Sequence, residues 1–284
     1  MSTQKRTVLI TGCSDGGLGA ALARAFKDAG FFVYATARNP AKMQSLAALD
    51  IETLQLDVQS QESVNSCAAR IKQLDVLVNN AGGQFVMPLS DVDIEAAKKI
   101  YDLNVWSQIR VIQAFLPLLI ASKGMIVNNT SIASVAAVPF QSIYNSSKAA
   151  IASVSETLRL EVEPFGVKVI DLRTGVVKSN LINNLKETQH PKLPDGSIYE
   201  FAKDTVEKAL RQDGFEGQGL DQAVWAKAIV GDLMKKNPPA LIWRGESAWL
   251  SRIASILPHG LLDGTLKKLV GLDIVEKAIK EGRH

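Results

Sequence analysis

Three side chains in one stretch of the chain could together move a proton to or from a carbonyl oxygen. Tyr144 and Lys148 have the spacing of one helical turn, so they lie on the same face of a helix, and Ser131 precedes them after the apolar run 125–127. A free phenol has a pKa of about 10, and a nearby ammonium group favours the phenolate. A serine hydroxyl can hold the substrate oxygen against the tyrosine. This set is suited to interconverting a ketone and an alcohol by acid–base catalysis, with a cofactor supplying the hydride.

A glycine-rich turn near the start of the chain predicts a dinucleotide site. The apolar run 7–11 predicts a buried strand, and the periodic segment 20–29 predicts a helix. Between them, Gly12 permits a tight turn, Gly17 lets the backbone approach a pyrophosphate, and Gly19 allows the helix to pack closely. The N-terminus of that helix would face the phosphates.

The end of the second predicted strand, 32–36, favours NADP(H) over NAD(H). A site for NAD commonly has an acidic residue at this point, which binds the ribose 2′-hydroxyl. The next acid is Asp50, whereas Arg38 could bind a 2′-phosphate. The alternative is that Arg38 is a solvated surface residue. Asp57, at the end of the third strand, could bond the adenine edge or cap the following helix.

The remaining strands predict where these groups meet. With helical segments between them, further strands are predicted at 51–56, 74–78, 125–131, 167–172 and 240–243. This alternation predicts an α/β fold, a single-domain Rossmann-type doubly wound parallel sheet of about seven strands flanked by helices. Ligands of such sheets bind outside the carboxyl ends of the strands, where Ser131 and the glycine turn both fall. Pro117 should kink the helical segment 96–121.

The last third of the chain differs in composition and hydrophobic pattern from the part before it. Residues 180–239 are polar and are broken by prolines and glycines, which predicts a helical lid over the strand ends. Residues 244–284 predict a C-terminal helical extension. Its apolar stripe consists of Trp249, Leu250, Ile253, Ile256, Leu257, Leu261, Leu262, Leu266, Leu269 and Val270. Such a stripe is typical of a core or a subunit interface, and contact with a membrane or lipid surface is the alternative.

Composition limits the classes of function. The chain has 284 residues, 46% of them hydrophobic, and a net charge of +3 with no basic cluster, which favours a large core and argues against nucleic-acid binding. His190, His259 and His284 lack metal-ligand spacing, so no metal site is predicted. Two cysteines and no signal peptide predict an intracellular, cytoplasmic protein. Cys13 is interpreted as a buried filler, with a redox-sensitive thiol as the alternative.

In this order, the motifs resemble the short-chain dehydrogenase/reductase family over most of residues 5–180. Thr11-Gly12 with Gly17-Leu18-Gly19 resembles its nucleotide turn, and Asn79-Asn80-Ala81-Gly82 resembles its fourth-strand motif. Its catalytic tetrad is matched in order and spacing by Asn104, Ser131, Tyr144 and Lys148. Two departures stand out. The glycine turn has one residue more than is usual, and Thr174-Gly175 replaces the usual Pro-Gly, with Ser179 in place of the usual threonine.

The resemblance implies a role for each member of the tetrad. Tyr144 would donate or accept the proton, and Lys148 would lower its pKa and bind the nicotinamide ribose. Ser131 would hold the substrate oxygen, and Asn104 would anchor a water leading to Lys148. The family also implies a homodimer or homotetramer built on the helices that carry Asn104 and Tyr144.

The residues by themselves leave simpler interpretations open. Tyr144 and Lys148 could be an ordinary surface pair on an amphipathic helix. Asn79 and Asn80 could merely tie strand ends together, and Asn104 could be a buried residue of purely structural use.

The cofactor NADP(H) would be bound by the glycine turn, the strand ends and the segment after the sixth strand. The residues implied are Gly12, Ser14, Gly17, Leu18, Gly19, Arg38, Asn39, Asp57, Val58, Asn80, Ala81, Gly82, Tyr144, Lys148, Thr174, Gly175, Val176 and Ser179. Which of Cys13, Ser14 and Asp15 faces the phosphates stays open at this point.

Within the family, the departures and the tail motifs Trp243-Arg244-Gly245 and Leu257-Pro258 are similar to fungal NADPH-dependent 1-acyl-dihydroxyacetone-phosphate reductases. The resemblance implies an NADPH-dependent reductase of a bulky apolar ketone, whether lipid-like, steroid-like or polyketide. One alternative is a non-catalytic NADP(H)-binding sensor. Another is a lipid-surface reductase specific for acyl-dihydroxyacetone phosphate, at a lipid droplet or the endoplasmic reticulum.

Overall fold

A seven-stranded parallel sheet lies at the centre of the computed structural model, which describes residues 5–215, 217–258 and 260–283. The strands are β1 (Thr7–Thr11), β2 (Phe32–Ala37), β3 (Glu52–Gln55), β4 (Val76–Asn79), β5 (Met125–Asn129), β6 (Lys168–Thr174) and β7 (Leu241–Arg244). Their order is β3-β2-β1-β4-β5-β6-β7, so the winding reverses between β1 and β4. The predicted doubly wound sheet is confirmed, and this reversal opens a crevice at the strand ends. His259 and His284 lie outside the described residues.

Helices cover both faces of the sheet. They are α1 (Leu18–Asp28), α2 (Gln44–Ala47), α3 (Gln61–Ala69), α4 (Ile94–Tyr101), α5 (Ser107–Ser122), α6 (Ser142–Val162), α7 (Leu181–Gln189), α8 (Lys203–Leu210), α9 (Gln222–Leu233), α10 (Ala248–Ala254), α11 (Asp263–Leu269) and α12 (Leu272–Lys280). Alternate residues of a strand point to opposite faces. In β4, Val76 and Val78 therefore join the core under α1 and α9, whereas Leu77 joins the core under α3 and α5.

Helix α9 corrects the prediction for residues 180–239. Trp225, Ile229 and Leu233 are buried in the same core as α1 and β1. The helix is therefore a crossover between β6 and β7 that packs on the sheet, and of the predicted lid only α7 and α8 remain as candidates. The helical pattern of the segment was predicted correctly, but the glycine-rich turn before α9 and its polar neighbours did not show that this helix packs on the sheet.

A small separate core joins the lid to the strand-end loops and to the tail. Its buried members are Val86, Phe140, Leu185, Leu193, Val206, Leu210, Val270 and Val275. The first two lie in the loops after β4 and β5, the next four in or beside α7 and α8, and the last two beside or in α12. The lid is therefore anchored to the loops that flank the carboxyl ends of β4 and β5.

A π-helical turn, Asp102–Trp106, joins α4 to α5. The whole run Ile94–Ser122 is long and apolar enough to cross a membrane by composition. Val111, Phe115 and Leu119 on this run are buried against the sheet, which accounts for that composition. The irregular turn lies at Asn104, and the kink at Pro117 stays a prediction.

Candidate active site

Tyr144 and Lys148 lie on the buried face of α6, with only 7% and 6% of their surfaces exposed. Lys148 Nζ is 5.9 Å from the centre of the Tyr144 ring. The same ammonium donates a hydrogen bond to the Asn129 carbonyl at the end of β5, over 3.1 Å. The interpretation of these residues as a surface pair is therefore wrong.

Ser131 follows the end of β5 and begins the short turn Ile132–Ser134. Its Oγ accepts a hydrogen bond from the Ala133 N–H over 3.1 Å, which fixes the side chain. The same side chain faces the Tyr144 phenol closely enough to act on its pKa. The end of β5 therefore supplies a contact to both Tyr144 and Lys148.

Asn104 is buried in the π-helical turn and bridges two elements. Its Oδ1 accepts from the Gly83 N–H, and its Nδ2 donates to the Gly83 carbonyl, both over 2.9 Å. Nδ2 also donates to Ser147 Oγ on α6 over 3.0 Å. A Cβ on Gly82 would lie 3.2 Å from Asn104 Oδ1 and 3.6 Å from Lys148 Nζ, so this loop passes close beside both. π-Helical turns are frequent at functional sites.

Burial controls the charges of the site. It raises the pKa of Tyr144, and the hydrogen bond with Ser131 acts in the opposite direction. Burial also lowers the pKa of Lys148 to about 8, while the charge of Asp171 acts to raise it. The expectation that Lys148 lowers the Tyr144 pKa is thus not met here, because both charges are desolvated. At neutral pH the phenol carries its proton, which suits it to donate to a carbonyl oxygen.

A chain of side-chain hydrogen bonds ties four strand ends together. Thr174 Oγ1 donates to Asn129 Oδ1 over 2.5 Å, and Asn129 Nδ2 donates to Asn80 Oδ1 over 3.0 Å. Asn80 Nδ2 then donates to the Thr11 carbonyl over 2.8 Å. The side chains of Asn80 and Thr174 are therefore committed to the framework. Asn129 is not among the predicted site residues, although it is the second asparagine of the run 127–129 at the end of β5.

Asn79 fits the simpler of its two interpretations. Its Nδ2 donates to Asn128 Oδ1 over 2.9 Å, which links β4 to β5 below the site. Asn128 Nδ2 donates in turn to Ser155 Oγ on α6 over 2.8 Å.

The glycine turn approaches both the β4 loop and its own helix. Gly12 has a φ of 72°, and a Cβ there would lie 2.9 Å from Ala81 Cα. A Cβ on Gly19 would lie 2.5 Å from the Gly12 carbonyl oxygen. Helix α1 begins after Gly17 with no side-chain cap and no acid in its first turn. Its first N–H groups are therefore suited to an anion such as a pyrophosphate.

The open question in this turn has a structural answer. Cys13 is buried, its Sγ donates to the Ile10 carbonyl, and burial raises its pKa to about 12, as expected of a filler. Asp15 is turned toward Ser45, from which its carboxylate accepts both the N–H and the hydroxyl hydrogen bond. Within the described chain, the Ser14 side chain makes no hydrogen bond. Of the three, Ser14 is therefore the candidate left for a phosphate, and its contact with the cofactor stays a prediction.

Two cations follow β2. Arg38 is exposed at the strand end, and Asn39 Oδ1 caps the next turn, Pro40–Met43, by accepting from the Ala41 N–H. Lys42 is exposed on that turn, and its carbonyl accepts from the Asp15 N–H over 2.7 Å. The turn is thereby held against the glycine turn. Lys42 is a second candidate for a 2′-phosphate that sequence reasoning missed.

The end of β3 settles one alternative for Asp57. Ser60, not Asp57, caps α3, since its side chain accepts from the Ser63 N–H over 3.2 Å. Asp57 Oδ1 closes a local turn by accepting from the Gln59 N–H. Val58 is buried, and its carbonyl accepts from the Arg110 guanidinium. A contact of Asp57 or Val58 with adenine stays a prediction.

The backbone hydrogen bonds after β6 correct the prediction that Val176 contacts the cofactor. Its N–H donates to the Glu246 carbonyl, and its own carbonyl accepts from the N–H groups of Glu246 and Leu220. Within the described residues, the N–H and carbonyl of Val177 make no backbone hydrogen bond. Val177 is therefore the residue free to hold a ligand amide. A Cβ on Gly175 would lie 2.2 Å from the Glu246 carbonyl oxygen, so this position requires glycine.

Ser179, the last residue of the predicted cofactor set, stands just before the lid. Its Oγ accepts from the Leu181 N–H at the start of α7, over 3.4 Å. The hydroxyl therefore lies at the start of the lid.

A cavity of about 440 Å³ lies between the loop 133–140 and α6. Asn145 and Ala149 of α6 line it, whereas Ser131, Tyr144 and Lys148 are not among its lining residues. This cavity is therefore separate from the proton-transfer groups.

Comparison with known proteins agrees with this geometry. The profile described as short chain dehydrogenase matches residues 6–190. A short-chain dehydrogenase/reductase of Pestalotiopsis microspora is 55% identical over 280 residues, which cover 99% of each chain. An NADPH-dependent 1-acyldihydroxyacetone phosphate reductase of Schizosaccharomyces pombe is 36% identical, covering 94% of this chain and 95% of that one. The crystal structure of a short-chain dehydrogenase from Streptomyces avermitilis superposes with a TM-score of 0.75 at 28% identity, covering 98% and 99% of the two chains.

Proposed function

The chain belongs to the short-chain dehydrogenase/reductase family of oxidoreductases, and from this premise we propose that it is an NADPH-dependent reductase that interconverts a ketone and a secondary alcohol on a bulky apolar substrate. The observation that carries the proposal is the buried Tyr144 phenol, which is partnered by Ser131 and lies beside the Lys148 ammonium.

The residues present fit a nicotinamide dinucleotide phosphate. The open N-terminus of α1 and Ser14 suit the pyrophosphate, and Arg38 and Lys42 suit a 2′-phosphate. The free backbone groups of Val177 suit the carboxamide. The Schizosaccharomyces pombe relative is named as NADPH-dependent, which supports the same cofactor. When bound, the nicotinamide supplies the hydride.

In the proposed reaction, each residue of the tetrad acts on the substrate oxygen or on its neighbour. Ser131 holds the ketone oxygen by a hydrogen bond and orients it toward Tyr144. Tyr144 donates its proton to that oxygen as the carbonyl carbon is reduced, and Lys148 stabilises the phenolate that results. Asn104, fixed by Gly83 and Ser147, positions a water for returning a proton. In the oxidative direction the Tyr144 phenolate is the base.

The lid supports the choice of a bulky apolar substrate. Leu185 and Leu193 of the lid pack on Val86 and Phe140, in the loops beside Gly83 and Ser131. An apolar core therefore holds the lid next to the strand-end loops, where a bulky apolar substrate would enter over Tyr144. A relative named for an acyl-substituted ketone, the dihydroxyacetone phosphate reductase, is consistent with this choice.

The test is the loss of NADPH absorbance with purified protein and a panel of ketones, with Tyr144→Phe as the blank. The panel contains an acyl-dihydroxyacetone phosphate, steroid ketones and polyketide ketones. Turnover that disappears in Tyr144→Phe supports the proposal, and the preferred ketone assigns the substrate class. Tight NADPH binding with no turnover of any ketone would overturn it in favour of a nucleotide-binding sensor.

The cofactor assignment has its own test. Arg38→Ser combined with Lys42→Ser should raise the KM for NADPH at least tenfold and leave the KM for NADH within about twofold, because only the former carries a 2′-phosphate. Equal effects on both cofactors would contradict the assignment.

A second candidate is an intracellular reductase that works at a lipid surface, such as a lipid droplet or the endoplasmic reticulum. It is favoured by the exposure of Trp249, Ile256 and Leu261, of which Ile256 is 83% exposed. Arg252 and Lys268 are exposed nearby in the chain and could meet anionic headgroups. Full-length protein should float with vesicles of phosphatidylcholine and phosphatidylserine, and Trp249→Ser with Ile256→Ser should abolish flotation. Equal flotation of both proteins would contradict this candidate.

We also infer a homodimer or homotetramer. Ile94, Trp106, Leu160 and Phe165 are large, exposed apolar residues on or beside the helices that carry Asn104 and Tyr144. Burying such residues against a second copy would stabilise the assembly. Light scattering should show an oligomer that Leu160→Glu weakens; a monomer at micromolar concentration would contradict the inference.

A further inference from the structure

A buried carboxylate lies beneath the active site and has no part in the function proposed so far. Asp171 is in β6, is 5% exposed, and pairs in register with Asn128 of β5. Its Oδ1 accepts a hydrogen bond from the Thr130 hydroxyl, and its Oδ2 accepts from Arg173 Nε over 2.8 Å. A buried carboxylate is costly unless it is paired and hydrogen-bonded, and here both oxygens are engaged.

The hydrogen bond to Thr130 places Asp171 under the reacting groups. Thr130 is the residue between Asn129, whose carbonyl accepts from Lys148, and Ser131, which partners the Tyr144 phenol. The Thr130 N–H is also held by the Leu172 carbonyl over 2.9 Å. Asp171 therefore helps fix the peptide that carries both contacts.

The charge of Asp171 also acts on Lys148. Among the described residues, the titratable groups found beside this ammonium are Tyr144 on its own helix and Asp171 on β6. The π-helical turn and the loop after β4 bring Asn104 and Gly82 close to it, and both are neutral. Burial favours the neutral amine, and Asp171 opposes that effect.

A second cation shares the carboxylate. Arg173 bonds Asp171 and lies over the ring of Trp243 in β7, with its Cζ 4.8 Å from the ring centre. The positive charge of Arg173 partly offsets the negative charge of Asp171. Removing Arg173 and removing the charge of Asp171 should therefore affect Lys148 in opposite directions.

We propose that Asp171 is a positioning residue of this active site: it holds Thr130, and with it Ser131 and the Asn129 carbonyl, and its negative charge sustains the Lys148 ammonium beneath Tyr144. The proposal rests on the reductase function proposed above and deepens it. Asp171 touches neither substrate nor cofactor, so it acts only through Thr130 and Lys148.

The first test is the pH dependence of kcat/KM for ketone reduction. The activity that depends on the Lys148 ammonium is lost as pH rises through its pKa, about 8. Asp171→Asn keeps an acceptor for Thr130 but removes the negative charge. The alkaline limb, which is the fall of kcat/KM at high pH, should therefore shift by about one unit to lower pH. Arg173→Gln should move it up. Asp213→Asn, a substitution in an exposed carboxylate that follows α8 and pairs with Arg211 and Lys186, is the control and should leave the limb in place.

Thr130→Val separates position from charge. It removes the hydrogen bond to Asp171 but leaves the carboxylate, so kcat should fall at least tenfold without movement of the alkaline limb. A limb that is the same in the wild type, Asp171→Asn and Arg173→Gln would overturn the proposal, as would a Thr130→Val enzyme with unchanged kcat.

A second readout requires no turnover. Because the folded pKa of Lys148 lies below its unfolded value of 10.5, the melting temperature should rise with pH between about 8 and that value. In Asp171→Asn this rise should begin at lower pH, and in Arg173→Gln at higher pH. If these shifts occur in a protein that reduces no ketone, the electrostatic interaction between Asp171 and Lys148 is supported and the proposed reductase function is rejected. If the melting curves are the same in all variants, the interaction itself is rejected. Arg173→Gln carries the test if Asp171→Asn does not fold.

Discussion

The carboxyl edge of the sheet and the C-terminal tail differ in the polarity of the side chains that they bury and expose. At the edge, polar groups such as Asn80, Asn104 and Asn129 are buried or half-buried and bonded to one another or to backbone. In the tail, Trp249 and Ile256 are large apolar side chains that face outward. The polar groups of the edge find their partners within one chain, whereas the apolar side chains of the tail form a surface that is available to another molecule.

The difference has an energetic cause. A buried polar group without a partner costs about 1–3 kcal/mol, so a polar active site under a lid must be cross-linked to be stable. An exposed apolar side chain costs little, and a cluster of them is retained where it meets a partner or a surface. The proposed acid–base site and the apolar surface of the tail therefore lie in separate regions of this protein.

The largest expected effect compares one tyrosine of the edge with one of the lid. Tyr144→Phe removes the proton donor and should lower kcat on the order of a thousandfold with little change in stability. Tyr199→Phe, whose ring packs edge-on against Phe140, should leave kcat within about threefold, because its hydroxyl has no role in proton transfer. Equal losses of kcat in both variants would show that the edge and the lid are not functionally distinct.

A second prediction concerns the stability cost of the buried cation. Burial lowers the Lys148 pKa from 10.5 to about 8, so at pH 7 the ammonium is less stable in the folded than in the unfolded protein by on the order of 3 kcal/mol. Lys148→Met should abolish activity but raise the melting temperature at pH 7, with a smaller gain at pH 10, where the wild-type amine is neutral. Differential scanning calorimetry at the two pH values measures this; a lower melting temperature at pH 7 would mean that the bond to Asn129 outweighs the desolvation.

The third prediction compares two glycines with different surroundings. Gly19→Ala brings a Cβ to 2.5 Å from the Gly12 carbonyl oxygen, so the turn must shift, and we expect a loss of about 2 kcal/mol in unfolding free energy together with weaker NADPH binding. Gly231→Ala in α9 meets nothing within 4 Å and should add about 0.5–1 kcal/mol, because alanine favours the helix. Urea titrations measure both changes, and a neutral Gly19→Ala would show that the turn adapts.

Local sequence patterns were sufficient to predict features that depend on a single strand, turn or helix. The apolar runs placed the strands to within a few residues, the glycine spacing placed the turn before α1, and one helical turn placed Tyr144 beside Lys148. They were insufficient where distant segments compete for the same backbone. Val176 was chosen as a ligand contact because no local pattern shows that Glu246 and Leu220 already use its peptide groups.

The amino-acid sequence determined the fold class, the candidate acid–base residues and one cation after β2, Arg38, because periodicity and residue type act over a few neighbouring positions. Only the tertiary structure decided that Ser14 is left for a phosphate, that α9 belongs to the core, and that Asp171 lies beneath Ser131 and Lys148. These outcomes depend on burial and on hydrogen bonds between residues far apart in the chain. Burial also reversed the expected direction of the Tyr144 pKa, since desolvation is a property of the folded environment and not of the neighbouring residues.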